Sequence, residues 1–151
     1  MADPVQTLVD ARVAHCVYRH GPAATAPQVA AALGIAPAAM LKTVAVASMP
    51  AVVLACVPIG RRVDIDALAA HLGESRTVAM NAAALERLTG FRPGAVTPIP
   101  APGGRRFRVV IDAGAMALAQ VAIGAGAGVE VVLAPADLVA VTGAEVAAIA
   151  A

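Results

Sequence analysis

"LKTVAVASMPAVVLACV" (residues 41–57) decides whether this chain crosses a membrane or folds around a sheet. Most of it lies in an uncharged run from Thr43 to Gly60, and a second such run extends from Ala113 to Val129. Both stop short of the ~20 apolar residues that a spanning helix needs. Pro50 and Pro58 break the first, and Gly114, Gly124, Gly126 and Gly128 break the second. Alternation and β-branched content instead predict two strands, Leu41 to Ala47 and Ala51 to Val57, joined by a turn at Ser48-Met49-Pro50. A hairpin is expected here, with no membrane span.

Working outward, Val5, Leu8, Val9 and Val13 recur at helical spacing over Val5 to Ala14, and "CVYR" reads as a short strand. Thr25 is placed to cap a helix from Ala26 to Leu33, with Pro27 in its first turn and Gly34 just beyond its end. Asp64 and Asn81 are placed to cap helices ending at Leu72 and Leu88, stopped by Gly73 and Gly90. Phe107 to Ile111, Gln120 to Ile123 and Val129 to Leu133 read as three further strands, and a helix or helix pair is expected from Pro135 to Ala150. Interleaved strands and helices without a long linker predict one α/β domain over residues 1–151 with a mixed sheet.

Composition narrows the function. Hydrophobic residues make up 60% of the 151 residues and charged ones 14%, which excludes a disordered chain. The net charge of +1 gives no global basic field for gripping duplex nucleic acid. Aromatics at 2%, with no tryptophan, exclude a base-stacking platform. Arg61-Arg62 and Arg105-Arg106 with Arg108 are local basic clusters, either solvated loop residues or phosphate contacts. Cys16 and Cys56 are the only cysteines and sit in apolar, strand-like runs, so a reduced, cytoplasmic protein with a buried Cys16 is expected. The N-terminus, "MADPVQTLVD", has neither a basic stretch nor an apolar run of the kind a secretory signal carries.

Three features bear on chemistry. Lys42 is the only lysine beside ten arginines. A compact ammonium offers what a planar guanidinium cannot, so a unique lysine at a strand start is a candidate site residue as well as a candidate surface cation. Alternation puts it on the face of Val44 and Val46. The second feature is "TGFRPGAVTPIP" (residues 89–100), where Gly94-x-x-x-Pro98 is incompatible with a helix and uncomfortable in a central strand. A loop so free of side chains at one end and stiff at the other suits work by backbone amides. The third, "GAGAG" (Gly124 to Gly128), lacks the helix that a dinucleotide-binding turn requires, because Val129 to Leu133 reads as a strand. A tight hairpin is expected instead. His15, Cys16 and His20 fit no standard zinc spacing, so neither metal nor cofactor is expected.

Together "YRHGP" (Tyr18 to Pro22), "LKTVAV", "VDIDALAAHLG", "TGFRPGAVTPI", "VVIDAGA" and "IGAGAGVEVVLAPADL" resemble the YbaK/prolyl-tRNA synthetase-associated domain family, almost end to end. That resemblance implies a mixed, mostly antiparallel, barrel-like sheet with surrounding helices. It also implies hydrolysis of the ester of a mischarged aminoacyl-tRNA with a small side chain. The partners implied are the 3′ acceptor end of the tRNA and, for delivery, an aminoacyl-tRNA synthetase. Lys42 and Gly94 would be catalytic. Tyr18, His20, Thr43, Ala95, Val96, Thr97, Pro98, Ile123, Gly124 and Glu130 would contact substrate. Ile123 stands where many members have serine, Gly94-Ala95 where they have Gly-Gly, and Pro100 where they have glycine. With Ile123 facing the pocket, small apolar or thiol side chains would be favoured. The alternative is a non-catalytic tRNA- or synthetase-binding module of the same fold, and a third reading is a hydrolase of other small acyl esters.

Overall fold

The computed structural model describes residues 3–21, 23–48, 50–74 and 77–151. Its strands are β1 (His15–Arg19), β2 (Met40–Ser48), β3 (Ala51–Pro58), β4 (Thr77–Ala79), β5 (Arg108–Asp112), β6 (Val121–Gly124), β7 (Val129–Leu133) and β8 (Glu145–Ala147). Its helices are α1 (Pro4–Asp10), α2 (Ala26–Leu33), α3 (Ile65–Leu72), α4 (Ala82–Thr89) and α5 (Pro135–Thr142). The strands form one mixed sheet in the order β1-β7-β6-β2-β3-β5-β8, and β4 pairs with β2 as well.

The expected hairpin is the centre of this sheet. β2 and β3 pair antiparallel from Leu41 with Pro58 to Ser48 with Ala51. Met49 of the predicted turn lies outside the described residues. Because side chains alternate along each strand, the sheet has two distinct apolar faces. One carries Leu41, Ala45, Leu54, Cys56, Ile111, Ile123 and Val131, packed against Val5 and Leu8 of α1 and Leu138 and Val141 of α5. The other packs Val46, Val53, Ala55 and Val57 against Leu68 of α3, and Met40, Ala122 and Val132 against Val29 and Ala30 of α2. Helices therefore cover both faces. Lys42 lies on this second face, between the patch under α2 and the patch under α3. Among the described residues no helix is long and apolar enough to cross a membrane.

Local chemistry sets the helix ends. The Thr25 side chain accepts from the Gln28 amide while Gln28 Oε1 accepts from the Thr25 amide, a reciprocal cap. Asp64 and Asn81 cap α3 and α4 through the amides of Ala67 and Ala84.

Three expectations need correction. The first helix ends at Asp10 rather than Ala14, because Arg12 takes a positive φ of 57° and turns the chain toward β1. The terminal segment is not helical to Ala150: α5 stops at Gly143, and Glu145–Ala147 form β8 parallel to β5. Asp112, buried at the end of β5, draws the tail in by accepting from the amides of Ile149 and Ala150. Cys16 is exposed on the edge strand β1 rather than buried.

Candidate active site

Register alone assembles one row of polar groups. β1 and β7 pair Tyr18 with Glu130, and β7 and β6 pair Glu130 with Gly124. β6 runs parallel to β2 with Met40 opposite Ala122 and Leu41 opposite Ile123. Paired residues share a face, so Tyr18, Glu130, Gly124 and Lys42 lie on the α2 side of the sheet. His20, beyond the end of β1, stacks on Tyr18 with ring centroids 6.1 Å apart.

A cavity of about 320 Å³ opens over this row. His20, Lys42, Thr43, Gly94, Val96, Gly124 and Glu130 line it, and Ala24, Ala26 and Val29 close it from the α2 side. Its location follows from a gap in the sheet. The edge of β2 facing β6 is paired at Met40–Leu41, and β4 takes the same edge only from Val46 to Ser48. Among the described residues no strand covers residues 42–45 on that edge, and the loop carrying Gly94 and Val96 approaches there instead. A Cβ built on Gly124 would sit 3.9 Å from the Val96 carbonyl oxygen and 3.7 Å from Glu130 Oε1, which shows how closely loop and strand meet.

Gly94 has φ of 81°, a conformation other residues adopt at a cost, and a Cβ there would meet no atom within 4 Å. Glycine is thus required by the backbone turn, and it leaves the space before it open. Ala95 donates its amide to the Arg92 carbonyl, closing the turn. Among the described residues the amides of Gly94 and Val96 donate to no internal acceptor.

The loop has two sides. Ala95, Thr97 and Pro98, expected beside Gly94, line a second cavity of about 310 Å³ that also includes Phe91, Arg105 and Phe107. Thr97 is buried, and its hydroxyl accepts from the Ile99 amide, so it serves the loop itself. Ile123 is fully buried and belongs to the core against α1 and α5. The expectation that it faces the pocket is corrected by register, because one residue along a strand reverses the face and Gly124 takes the cavity position. Tyr18 stacks on His20 and is not among the residues lining the cavity.

The electrostatics are set by burial. Glu130 is pushed above the ordinary carboxylate range by burial, with His20 pulling it back. Its Oε1 is 3.7 Å from His20 Nε2, and each side chain is 14% exposed. Lys42 makes no ion pair among the described residues. Thr43 Oγ1 lies 3.7 Å from Cys56 Sγ on the opposite face, and burial pushes the Cys56 thiol up to about 12, which removes it as a nucleophile. No group of three or more histidine, cysteine or acidic residues able to hold a metal occurs among the described residues. The residues that line the cavity together are Lys42, a His–Glu pair and a loop whose Gly94 and Val96 amides donate to no internal acceptor among the described residues, a set suited to orienting an ester and stabilising negative charge on its oxygen.

The hydrogen-bonded Arg108–Glu145–His71 cluster lies apart from this site and was not anticipated. Arg108 Nε is 2.6 Å from Glu145 Oε2, and His71 Nε2 is 3.0 Å from Glu145 Oε1. It could not be found without knowing that β8 lies beside β5.

Comparison with known proteins bears on this geometry. Residues 20–141 match the aminoacyl-tRNA editing domain family. The fold is similar to that of the hypothetical protein APE2540, with a TM-score of 0.85 and 25% identity over 99% of this chain and 100% of that one. It is also similar to a candidate trans-editing enzyme for prolyl tRNA synthetase, with a TM-score of 0.82 and 21% identity over 98% of this chain and 95% of that one.

Proposed function

The chain belongs to the aminoacyl-tRNA editing domain family, and we propose that it acts as a trans-editing deacylase, hydrolysing the ester of a mischarged tRNA that carries a small amino acid. The observation that carries this reading is the convergence on one cavity of Lys42 with Gly94 and Val96, whose amides are uncommitted. When water or a substrate hydroxyl attacks an ester carbonyl, charge develops on the carbonyl oxygen. Donors already in place stabilise that charge without reorganising, which is the largest single contribution in many such reactions. Lys42 supplies a compact cation for the oxygen or the terminal phosphate, and the Gly94–Val96 backbone supplies neutral donors. No side-chain nucleophile is needed, because an aminoacyl ester is already activated.

A cavity of about 320 Å³ has room for a small acyl group and part of the terminal ribose. Discrimination by an apolar pocket is modest, ~1–3 kcal/mol per methylene, so the tRNA and a synthetase partner are assigned the remaining selectivity. The net charge of +1 is consistent with a partner that contributes affinity for tRNA, and the proposed compartment is the cytoplasm.

The test is a deacylation screen over tRNAs charged with alanine, serine, cysteine and proline. Release of at least one small amino acid faster than the buffer rate is expected. Binding of charged tRNA with no release from any of them would instead identify a non-catalytic tRNA-binding module.

A further inference from the structure

His20 and Glu130 present a mismatch that the hydrolytic reading does not use. His20 Nδ1 is 3.1 Å from the Gly21 carbonyl oxygen, and a carbonyl only accepts, so the ring proton sits on Nδ1. In the neutral ring Nε2 is then an acceptor, and it faces the Glu130 carboxylate at 3.7 Å, beyond hydrogen-bond reach. His20 Nε2 and Glu130 Oε2 are both sealed from the surface, and neither has a hydrogen-bond partner among the described residues. While the ring is neutral, these are two acceptors facing each other in a cavity wall, poorly matched to one another; only a protonated ring would pair with the carboxylate itself. The two acceptors are well matched to a group with several N–H donors and positive charge.

The surroundings hold this pair in place. The His20 amide donates to the Gly128 carbonyl at 2.9 Å, and Tyr18 stacks on the ring. Glu130 is fixed by register between Tyr18 and Gly124. The glutamate carboxylate turns about its last torsion with little resistance, so either oxygen can be offered to the cavity. Lys42 lines the same cavity, yet no carboxylate lies within 4.0 Å of its ammonium among the described residues, so the protein's own cation does not occupy the position.

We propose that His20 and Glu130 form a subsite for a free primary amine, which on the deacylase reading is the α-amino group of the aminoacyl ester. The subsite is selective by donor count: an ammonium satisfies both acceptors, a hydroxyl supplies one donor, and an acylated amine supplies one donor with added bulk. The protein therefore discriminates against esters whose amine is blocked, and Lys42 and the Gly94 loop are left free for the ester and the ribose. This rests on the proposed function for the identity of the ligand, but its test does not depend on turnover.

Three probes are compared by calorimetric titration with the full chain: 3′-(L-alanylamino)-3′-deoxyadenosine, its N-acetyl derivative, and the 3′-lactoylamino analogue in which a hydroxyl replaces the amine. None contains an ester, so all are stable. Wild-type protein is expected to bind the free-amine probe at least about tenfold more tightly than either of the others, the factor that one added charge-assisted hydrogen bond gives. Glu130→Gln, near-isosteric and checked by its melting curve, is expected to bring the amine and lactoyl probes within about threefold of each other. The lactoyl arm matters because it removes the amine without adding bulk. Equal binding of the amine and lactoyl probes by wild type, no binding of any probe, or an unchanged preference in folded Glu130→Gln would each overturn the proposal. An amine preference with no ester cleavage in the tRNA screen would sink the deacylase reading and leave the subsite standing. Cleavage of alanyl- and N-acetylalanyl-tRNA at equal rates would do the reverse.

Discussion

A Cβ on residue 128 would stand 2.8 Å from the carbonyl oxygen of His20, closer than real side chains approach a backbone oxygen. Gly128 also has φ of 69° and accepts the His20 amide. The glycine hairpin between β6 and β7 thus serves the protein's own chain: it lets β1 run close enough to deliver His20 to the cavity. Gly128→Ala is expected to cost more than the ~1–2 kcal/mol of a left-handed alanine, because the contact is with backbone that cannot swing aside. Gly34→Ala is the control, with φ of 66° and nothing within 4 Å of its Cβ. Urea unfolding of both variants checks this, and equal losses would refute the close-approach explanation.

Lys42 is expected to matter to the reaction and little to the fold. It is half-buried at the cavity and without an ion pair among the described residues, so its loss strands no buried partner. Lys42→Ala should lower deacylation on the order of 10²-fold or more, comparable to removing one pre-organised electrostatic contact. Lys42→Arg should fail similarly, because a planar fork does not replace a compact ammonium. Single-turnover kinetics read beside melting curves decide it. Full activity in a stable Lys42→Ala protein would overturn the proposed mechanism.

The two cysteines should separate cleanly in reactivity. Cys16 is exposed, whereas Cys56 is fully buried with its thiol pushed up to about 12 by desolvation. At pH 8 an aromatic disulfide reagent is expected to titrate one thiol per folded chain rapidly and the second only on unfolding. Peptide mapping should place the rapid label on Cys16. Rapid modification of both would mean that the β2–β3 core opens readily.

Acid stability should carry the signature of Glu145. The Arg108 guanidinium, its strongest partner, with His71 adding to the effect, holds this carboxyl down at about 2 against an ordinary value of 4.5. Between those two values the unfolded chain binds a proton that the folded chain does not, so stability rises with pH across the window. The contribution is complete above about pH 4.5 and lost as pH falls toward 2. Both side chains are well exposed, 45% for Arg108 and 40% for Glu145, so solvent screening limits it to about 1 kcal/mol or less. Glu145→Gln should flatten the stability–pH profile in this window. Equilibrium denaturation at 0.1 and 0.5 M salt checks both the sign and the screening.

Much of the fold was legible because its signals are local. Thr25, Asp64 and Asn81 each place an oxygen where the first amides of a helix need one, and Gly34, Gly73 and Gly90 end those helices in left-handed conformations, so the boundaries are written within about ten residues. Alternation around Pro50 likewise announced the central hairpin, and the lone Lys42 and Gly94, the first residue of the Gly-x-x-x-Pro loop, both line the cavity. The tertiary structure alone decided what depends on partners far along the chain. Three-residue strands such as β4 and β8 have too little pattern to be read, and they exist only because β2 and β5 offer open edges. The same holds for which side of the loop each residue serves, with Gly94 and Val96 on one cavity and Ala95, Thr97 and Pro98 on the other. Ile123 is the clearest case. Its apolar character is fixed by sequence, but pairing with Leu41 and Val131 turns it into the core and gives the cavity to Gly124, because a strand's face is set by register and not by composition.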